Sequence, residues 1–502
     1  MHKIFFKILV VGVLLFGLGL TAQQKPNIVF VLVDDLGYAD VGFNGSTYYE
    51  TPNLDKLAEN SLVVSNGYMY PTCSPSRTAI FTGQQSFRTG VYNVPVLEYG
   101  TANENIFSRW TVTKDHQIYA EPLAKHGYKA IHLGKYHIVG PYPQKELSLA
   151  YPFQEKLTQP EPGDYSWLAA HKTKEVLQYY PQGRGFLENV GGTYKGDPAF
   201  EMGGYKSHKG GYRAPFSNPF IINKPSDEWL TDRLTDEAID FIGQHKNEPF
   251  FINLDYYAVH KPIKSRNEEL YKKYINKPGD SIRGQGLGRK REIMAGYATM
   301  IESVDANIQR IIDYLEEKNL RENTMIVVTS DNGYNGGESS NNLMRGSKRQ
   351  IYEGGIRVPI LLNWKGKIAP RRTEVPVTLL DFFPTFLDVA NIKDYKDVLD
   401  GNSLVPLFKK DVKKLNKRPL YWHLASNNKI QKACSVIRKD DYKLIQYLAT
   451  GDLELYNLNK DPKESTNLVA SETDVTKELL HDLVTWRKEN NVPLPPNSAL
   501  KF

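Results

Sequence analysis

IVFVLVDD, residues 28–35, is the stretch that decides the fold, because six apolar residues in a row run directly into two aspartates. So short an apolar run, without alternating polar residues, is typical of a strand buried on both faces of a parallel sheet. It predicts a central strand whose carboxyl end presents Asp34 and Asp35. In open α/β sheets, ligands bind beyond the carboxyl ends of the strands.

Similar apolar runs recur along the chain, with helical patterns between them. Thr51-Pro52 is typical of a helix N-cap followed by a proline in the first position, and apolar residues from Ile301 to Leu315 fall on one helical face. Strands that alternate with helices predict an α/β fold with a large, mostly parallel sheet flanked by helices. The further strands are expected at residues 131–133, 250–254, 325–329 and 358–362.

The end of the chain has a different pattern. Short alternating stretches at residues 433–438 and 442–447 predict strands, and the apolar positions from Val475 to Trp486 recur at helical spacing. We therefore predict a large α/β domain over residues 23–412. A smaller C-terminal α+β subdomain, with a small antiparallel sheet and a terminal helix, is expected over residues 413–502.

The first 22 residues are typical of a secretory signal peptide. Lys3 and Lys7 precede an apolar run at residues 8–20, and small residues follow it at the expected cleavage site. The run is short for a membrane span, although a retained N-terminal anchor is the alternative. We predict an exported protein, periplasmic or secreted, without stable membrane insertion after signal cleavage.

Composition excludes several classes of protein. The chain of 502 residues is 40% hydrophobic and 24% charged, which argues against wholesale disorder and against a protein with many membrane spans. A formal charge of +6 is too mild to predict nucleic-acid binding. Cys73 and Cys434 are the two cysteines of the chain. They could pair, but such sparse use in an exported protein favours avoidance of cysteine, so each one merits a functional hypothesis.

Two of the predicted strands end in acidic and amide side chains. Asp34 and Asp35 follow the first strand, and Asp331 and Asn332 follow the strand at 325–329. Either pair alone is more often a turn than a ligand set. Together, four oxygen-bearing side chains without a histidine indicate a hard cation, calcium or magnesium.

The segment Cys73-Ser74-Pro75-Ser76-Arg77 is the candidate for a nucleophile. Pro75 is well placed as the first residue of a helix, which would put Cys73 just before its positive end. Arg77, one turn into that helix, could face the same space and help to bind an anion. Without further information, a helix start with an incidental buried cysteine is the slightly favoured interpretation of the pattern.

This segment, with Thr82-Gly83 after it, resembles the signature of the type I sulfatase family, in which the cysteine is oxidised to formylglycine. Further blocks are similar to that family and stand in the family's order, so the resemblance covers nearly the whole chain after residue 25. They are residues 26–37, Gly134-Lys135-Tyr136-His137 (with Tyr136 where the family has Trp), His260-Lys261-Pro262, Asp331-Asn332-Gly333, 345–348 (RGSK), 353–355 (EGG), and 453–458 with Asp461-Pro462 in the tail.

The resemblance implies an alkaline-phosphatase-like (sulfatase) fold and a division of roles. Asp34, Asp35, Asp331, Asn332 and residue 73 would hold one calcium ion. Formylglycine 73, a hydrated aldehyde, would attack sulfur and form a covalent sulfo-enzyme intermediate. Arg77, Lys135 and Lys348 would neutralise the sulfate oxygens. His260, with Lys348, would protonate the departing oxygen, and His137 would take a proton from the second hydroxyl of residue 73 to release sulfate.

The resemblance also implies partners and a substrate class. A formylglycine-generating enzyme would mature Cys73, and the substrate would be a sulfated oligosaccharide or polysaccharide. The pattern is similar to polysaccharide-utilising sulfatases of marine bacteria, with ulvan as the leading candidate and carrageenan, fucoidan and glycosaminoglycans open. Residues 147–212 are expected to form part of the substrate rim. Candidate sugar contacts within it are His171, Arg184, His208 and Lys209.

Two other functions compete with this hypothesis. A phosphoryl ester hydrolase of the alkaline phosphatase superfamily would share the sheet, but such enzymes typically use Ser or Thr and two zinc ions with histidine ligands, and neither strand-end pair contains histidine. A glycan-binding protein descended from a sulfatase would need no formylglycine at residue 73, so the mass of that residue would separate it from an enzyme.

Overall fold

The computed structural model describes residues 25–143, 165–198, 209–278, 289–336, 343–409 and 418–500. The predicted signal segment 1–22, His208, and the predicted boundary at 412/413 lie outside these residues. None of the helices in the described ranges combines the length and the apolar character that a membrane span requires.

The strands, in chain order, are β1 (Asn27–Val33), β2 (Leu62–Val64), β3 (Gly67–Tyr68), β4 (Lys129–Gly134), β5 (Glu188–Val190), β6 (Lys209–Gly210), β7 (Arg213–Phe216), β8 (Phe250–Tyr256), β9 (Thr324–Ser330), β10 (Ile360–Asn363), β11 (Arg371–Thr373), β12 (Val377–Thr378), β13 (Leu420–Leu424), β14 (Cys434–Lys439), β15 (Tyr442–Tyr447) and β16 (Leu453–Asn457).

The α-helices of the described residues are α1 (Pro52–Glu59), α2 (Cys73–Thr82), α3 (Ser86–Thr89), α4 (Ala120–Lys125), α5 (Ser166–Ala170), α6 (Lys174–Leu177), α7 (Leu230–Gln244), α8 (Glu268–Asn276), α9 (Arg289–Glu317), α10 (Glu353–Ile356), α11 (Phe382–Val389) and α12 (Thr473–Glu489).

The main sheet has eight strands in the order β11-β2-β10-β9-β1-β8-β4-β5. β1 lies near its centre and pairs in parallel with β8 on one side and β9 on the other. β10 runs antiparallel to both of its neighbours. The predicted α/β fold with a mostly parallel sheet is thus confirmed, and the strand expected at 358–362 is the one that runs against the others.

The alternation of side chains along β1 explains why its sequence is apolar from Ile28 to Val33. Ile28, Phe30 and Leu32 belong to a core shared with Phe382 of α11. Val29 and its alternate neighbours on β1 point to the opposite face and pack in a second core with residues of α7 and α9. Each face of the sheet is therefore covered, and no position of β1 could be polar without cost.

The C-terminal part forms a separate antiparallel sheet in the order β13-β14-β15-β16. Helix α12 packs on it, with Leu479 and Leu483 against Ile437, Leu444 and Leu455. The predicted α+β character, with a terminal helix, is confirmed. Both cysteines are free and buried, Cys434 in β14, so they do not pair.

Two local predictions about helix starts need correction. Helix α1 does begin at Pro52, but the Thr51 hydroxyl does not cap it, because it donates to Asp55 Oδ1 (2.9 Å) and accepts from the Gly42 amide (2.8 Å). Helix α2 begins at Cys73 rather than at Pro75, with Thr72 as its N-cap residue. Pro75 occupies the third position, where its missing N–H is still outside the helical hydrogen-bond ladder.

Candidate active site

The candidate metal ligands meet at the carboxyl edge of the sheet. Asp34 and Asp35 follow β1, and Asp331 follows β9, its parallel neighbour, in which Ser330 is paired with Val33. The start of α2 brings Cys73 to the same place. Asp34, Asp35, Cys73 and Asp331 each offer one ligand atom, and these atoms lie within 4.8 Å of one another.

Asn332 lies beside these four residues, and its hydrogen bonds orient the side chain so that its oxygen can bind a cation. Its Nδ2 donates to Asp35 Oδ1 (2.7 Å) and to the Gly333 carbonyl (2.9 Å), which leaves Oδ1 buried without a hydrogen-bond partner among the described residues. Burial, followed by the negative charge of Asp331, raises the pKa of Asp34 well above its usual value. Buried carboxylates that repel one another, beside an unpaired amide oxygen, suit a hard divalent ion. The residues present therefore fit calcium or magnesium.

Cys73 is buried at the head of α2, with Sγ 3.6 Å from Asp34 Oδ1. Burial, followed by the charge of Asp331, raises the pKa of its thiol to about 12. Reactive cysteines usually have a lowered pKa, since the thiolate is the nucleophile. Cys73 therefore lies where a nucleophile is expected, beside the candidate metal ligands. With the protein groups alone, however, its raised pKa makes it a poor thiolate nucleophile.

Arg77 lies one turn further along α2 and is fully buried. Its Nε donates to Asp331 Oδ2 (2.9 Å), and its Nη1 donates to Asp255 Oδ2 (3.1 Å) and to the Lys135 carbonyl (2.7 Å). Its Nη2 has no hydrogen-bond partner among the described residues. The guanidinium is thus held rigidly while one buried donor stays available for an anion.

Two lysines place their ammonium groups against the aspartates. Lys135 Nζ donates to Asp34 Oδ2 (2.5 Å), and Lys348 Nζ donates to Asp35 Oδ2 (2.9 Å). Burial alone would lower the pKa of Lys135, but the charges of Asp34 and Cys73 raise it above its usual value. Both lysines are therefore cations in the folded protein, and together with Arg77 they form a positive site for an anionic group.

The two candidate proton-transfer residues are held differently. His260 Nδ1 lies 2.7 Å from the Lys261 carbonyl, so Nδ1 carries a proton and donates it, while Nε2 lies 3.8 Å from Asp35 Oδ2. His137 has a left-handed backbone (φ 58°), and its Nδ1 is buried without a partner among the described residues. Burial, followed by neighbouring lysine charges, lowers the pKa of both histidines well below the usual value.

The structure describes the surroundings of two of the four predicted substrate contacts, Arg184 and His171. Arg184 is a correction, because it is fully buried, with Nε donating to Glu121 Oε1 (3.1 Å) and Nη2 to the His116 carbonyl (2.5 Å), so no part of it is available to a sugar. His171 is exposed, and its ring stacks on Trp167 with centroids 4.5 Å apart. Lys209 begins β6, and His208 lies outside the described residues.

Two residues that contact the site were missed in the sequence. Asp255, near the end of β8, holds Arg77, and burial raises its pKa to about 7 although Arg77 acts in the opposite direction. An acid at the end of a third strand was a usable signal. Gly196 lies against the His137 ring, since a Cβ there would come within 2.6 Å of Cε1, and nothing local in the sequence predicts this contact.

Comparison with known proteins agrees with this arrangement. Residues 26–392 match the Sulfatase family, and residues 346–489 match the family described as N-sulphoglucosamine sulphohydrolase, C-terminal. A sulfatase of Formosa agariphila is 27% identical over 98% of this chain and 95% of its own. The N-acetylgalactosamine-6-sulfatase of Mus musculus is 30% identical over 80% of this chain and 69% of its own.

This chain is also similar to solved structures. The crystal structure of Ps i-CgsB in complex with k-i-k-neocarrahexaose has a TM-score of 0.70 at 26% identity and covers 95% of each chain. A phosphonate monoester hydrolase of Agrobacterium radiobacter has a TM-score of 0.63 at 19% identity, over 93% of this chain and 96% of its own, which is a likeness in fold alone. The family match spans well over half of the chain, so the protein belongs to the sulfatase family and is a sulfuric ester hydrolase.

Proposed function

We propose that this sulfatase removes sulfate from a sugar, with Cys73 converted to formylglycine as its nucleophile. The observation that carries the proposal is the position of Cys73, whose Sγ lies among the carboxylates of Asp34, Asp35 and Asp331. A thiol with a pKa of about 12 would be a poor nucleophile there. Conversion to a hydrated aldehyde would replace Sγ by hydroxyl oxygens, and Sγ stands in for one of them.

One calcium ion is proposed at Asp34, Asp35, Asp331, Asn332 and residue 73. The support is the buried oxygen set and the unpaired Asn332 Oδ1. The chemistry that such an ion supplies when bound is a lowered pKa for a hydroxyl of residue 73. Hydrogen bonds from Lys135 and Lys348 fix the orientation of the Asp34 and Asp35 carboxylates.

The reaction would proceed in two steps. An oxygen of residue 73 attacks sulfur, the bond from sulfur to the sugar oxygen breaks, and His260 donates a proton to that oxygen. His137 then removes the proton of the second hydroxyl on residue 73, so that the aldehyde carbonyl re-forms and sulfate leaves. Arg77, Lys135 and Lys348 would stabilise the sulfate oxygens throughout.

The protonation state of His260 is expected to change when the substrate binds. In the protein alone its pKa is lowered by burial and by Lys348. A bound sulfate ester brings negative charge next to the ring, and an opposite charge raises the pKa of a histidine. We therefore expect His260 to acquire its proton together with the substrate.

We propose a sulfated algal polysaccharide or its oligosaccharides as substrate, with ulvan as the first candidate. One structural relative was solved with a carrageenan-type hexaose, which supports a sulfated sugar for this chain. Export through a signal peptide at residues 1–22, and maturation of Cys73 by a formylglycine-generating enzyme, are part of the same proposal.

A panel of esters tests the proposed function. The protein, co-expressed with a formylglycine-generating enzyme, would be incubated with 4-nitrophenyl sulfate, 4-nitrophenyl phosphate, and oligosaccharides of ulvan, carrageenan, fucoidan and chondroitin sulfate. Release of sulfate, fastest from ulvan oligosaccharides, is expected. Release of phosphate faster than sulfate would replace the proposal by a phosphoryl ester hydrolase, and release from another sugar would correct the substrate.

A further inference from the structure

Three exposed apolar side chains lie in two segments that are hydrogen-bonded to neighbours of Cys73 and Lys348. Val96, Tyr99 and Ile430 are 40%, 58% and 48% exposed, and they are three of the seven large hydrophobic residues that the described part of the chain leaves exposed. They come from two distant segments, residues 96–99 and 427–432, which we call the ledge. Exposed apolar groups that cluster rather than scatter are typical of a binding surface.

Backbone hydrogen bonds join the two segments of the ledge. Glu98 and Asn428 form an antiparallel bridge, and the Tyr99 amide donates to the Asn427 carbonyl (3.0 Å). A further hydrogen bond fixes Asn427, because its amide donates to Asn105 Oδ1 (2.6 Å). The ledge is therefore a rigid surface shared by the catalytic domain and the C-terminal subdomain.

One end of the ledge is tied to the loop that carries Lys348. Asn428 Nδ2 donates to the Arg349 carbonyl (3.0 Å), and the Arg349 amide donates to the Pro71 carbonyl (2.7 Å). Asn428 therefore holds Arg349, the residue next to Lys348, and Ile430 is two residues beyond Asn428. Pro71 is itself only two residues before Cys73.

The other end of the ledge is tied to the start of α2. The Thr72 hydroxyl lies 3.4 Å from Asn93 Oδ1, and Val96 is three residues beyond Asn93. Three residues span at most about 10 Å, so Val96 belongs to the loop that contacts the start of α2. Both segments of the ledge are therefore joined by hydrogen bonds to neighbours of Cys73 or Lys348.

The charges around the ledge favour an anionic ligand. Lys429 and Lys432 are exposed on its second segment. Of the nearby acids, Glu98 is buried and accepts from the Ser108 amide (2.8 Å). The hydrogen bonds from Thr101 (2.9 Å from its amide), and then the charge of Lys432, lower the pKa of Glu104. Glu104 therefore offsets part of the charge of Lys432, and Lys429 supplies the remaining positive charge beside the apolar area of the ledge.

We infer that the ledge is a subsite for the neighbouring sugars of a sulfated oligosaccharide, beyond the unit whose sulfate ester is cleaved. The inference rests on the proposed function and extends it to chain length. The C–H face of a sugar ring would pack on Tyr99 and Ile430, and sulfate groups of the same chain would pair with Lys429 and Lys432. An isolated monosaccharide or an aryl sulfate would not reach this surface.

Tyr99→Ala and Lys429→Ala test the subsite, with Tyr395→Ala as matched control. Tyr395 is another exposed tyrosine (40%), its ring packs against Phe383, and it belongs to neither segment of the ledge. The substrates are 4-nitrophenyl sulfate and the disaccharide and hexasaccharide of whichever polymer of the panel the unaltered enzyme desulfates. Tyr99→Ala should raise KM for the hexasaccharide roughly three- to tenfold, the effect of one aromatic contact, with kcat and the rate on 4-nitrophenyl sulfate unchanged.

Each other outcome overturns either the inference or the function on which it rests. Equal KM values of Tyr99→Ala and the unaltered enzyme on the hexasaccharide would refute the subsite, as would an equal loss in Tyr395→Ala. An enzyme that hydrolyses 4-nitrophenyl sulfate or monosaccharide sulfates but no oligomer would also refute it. Failure on every sulfate ester in the panel would instead refute the proposed function.

Discussion

Lys348 and Glu353 lie in the same short segment, yet they belong to two buried charge clusters of different construction. The first, which we call the catalytic cluster, is the group of charged and polar residues in the candidate active site: Asp34, Asp35, Cys73, Arg77, Lys135, His137, Asp255, His260, Asp331, Asn332 and Lys348. The second, which we call the closed cluster, consists of Glu353, Lys443 and Glu464, and it joins the catalytic domain to strand β15. Lys443 Nζ lies 3.2 Å from Glu353 Oε1 and 2.9 Å from Glu464 Oε1, and it donates to the Ile351 carbonyl (2.8 Å).

The two clusters differ in which buried polar atoms have no hydrogen-bond partner among the described residues. Lys443 Nζ donates to the Ile351 carbonyl and to Glu353 Oε1, and it forms an ion pair with Glu464 Oε1. Glu353 Oε2 likewise accepts from the Tyr68 hydroxyl (2.9 Å). In the catalytic cluster, Asn332 Oδ1, Arg77 Nη2 and His137 Nδ1 are buried without hydrogen-bond partners among the described residues. In the closed cluster the atom without a hydrogen bond, Glu464 Oε1, is still paired by charge with Lys443 Nζ (2.9 Å). The unpaired atoms of the catalytic cluster instead suit a cation and an anion, and this difference separates structural charge from functional charge.

Removal of the metal should have the largest effect, because it empties the catalytic cluster alone. Treatment with a chelator should abolish turnover of every sulfate ester, and calcium should restore it better than zinc. Thermal unfolding followed by circular dichroism would check that the fold persists. Two zinc ions per chain in active protein, measured by elemental analysis, would contradict the assignment.

His260→Ala should have the next largest effect, and the effect should depend on the leaving group. A sugar alcohol is a poor leaving group and needs a proton, so the rate on a sugar sulfate should fall by about two to four orders of magnitude. The rate on 4-nitrophenyl sulfate should fall much less. Steady-state rates on both substrates measure the split, and equal losses on both would show that His260 does not serve the leaving oxygen.

Gly196→Ala should have an intermediate effect, because it moves a catalytic ring without removing it. The new Cβ would lie 2.6 Å from His137 Cε1, and displacement of a catalytic group by about 1 Å can cost about a hundredfold in rate. We expect a loss on both substrates and a covalent sulfate on residue 73, detected by mass spectrometry of quenched enzyme. Gly243→Ala, in helix α7 against the Tyr314 hydroxyl, is the control; a similar loss there, or the lack of an adduct in Gly196→Ala, would contradict the positioning role.

Lys443→Met should have the smallest effect on turnover and a large effect on stability. It leaves Glu353 and Glu464 buried without their counter-charge, which should lower the free energy of unfolding by about 3–5 kcal/mol. Lys439→Met, on the neighbouring strand β14, breaks a surface pair with Glu478 and Asp482 and should cost less than about 1 kcal/mol. Denaturant unfolding measures both. A variant Lys443→Met that is stable but inactive would mean that the closed cluster takes part in catalysis.

Local patterns were sufficient to predict the sheet and its strand-end acids. An apolar run such as residues 28–33 is a strand buried on both faces whatever its partners are, and an aspartate directly after it must lie at the carboxyl edge of the sheet. The start of α2 was placed two residues late, because Thr72 precedes the helix without a side-chain cap that the sequence could show.

Contacts between distant residues were the part that the sequence did not reveal. The wrong prediction for Arg184 arose because its burial depends on Glu121, a partner on another element. Gly196 was missed for the same reason, since only the folded chain brings it against His137. Asp255 carried a signal, an acid at the end of a strand, but without a second acid beside it.

The central claim is that residue 73 acts as formylglycine within the catalytic cluster, and the mass of the peptide that contains it tests this most directly. Protein co-expressed with a formylglycine-generating enzyme should carry an aldehyde in place of the thiol, with activity proportional to the modified fraction. Cys73→Ser should fold normally and fail to turn over, because serine lacks the second hydroxyl needed to release sulfate. Fully active protein with an unmodified Cys73 thiol would contradict the account.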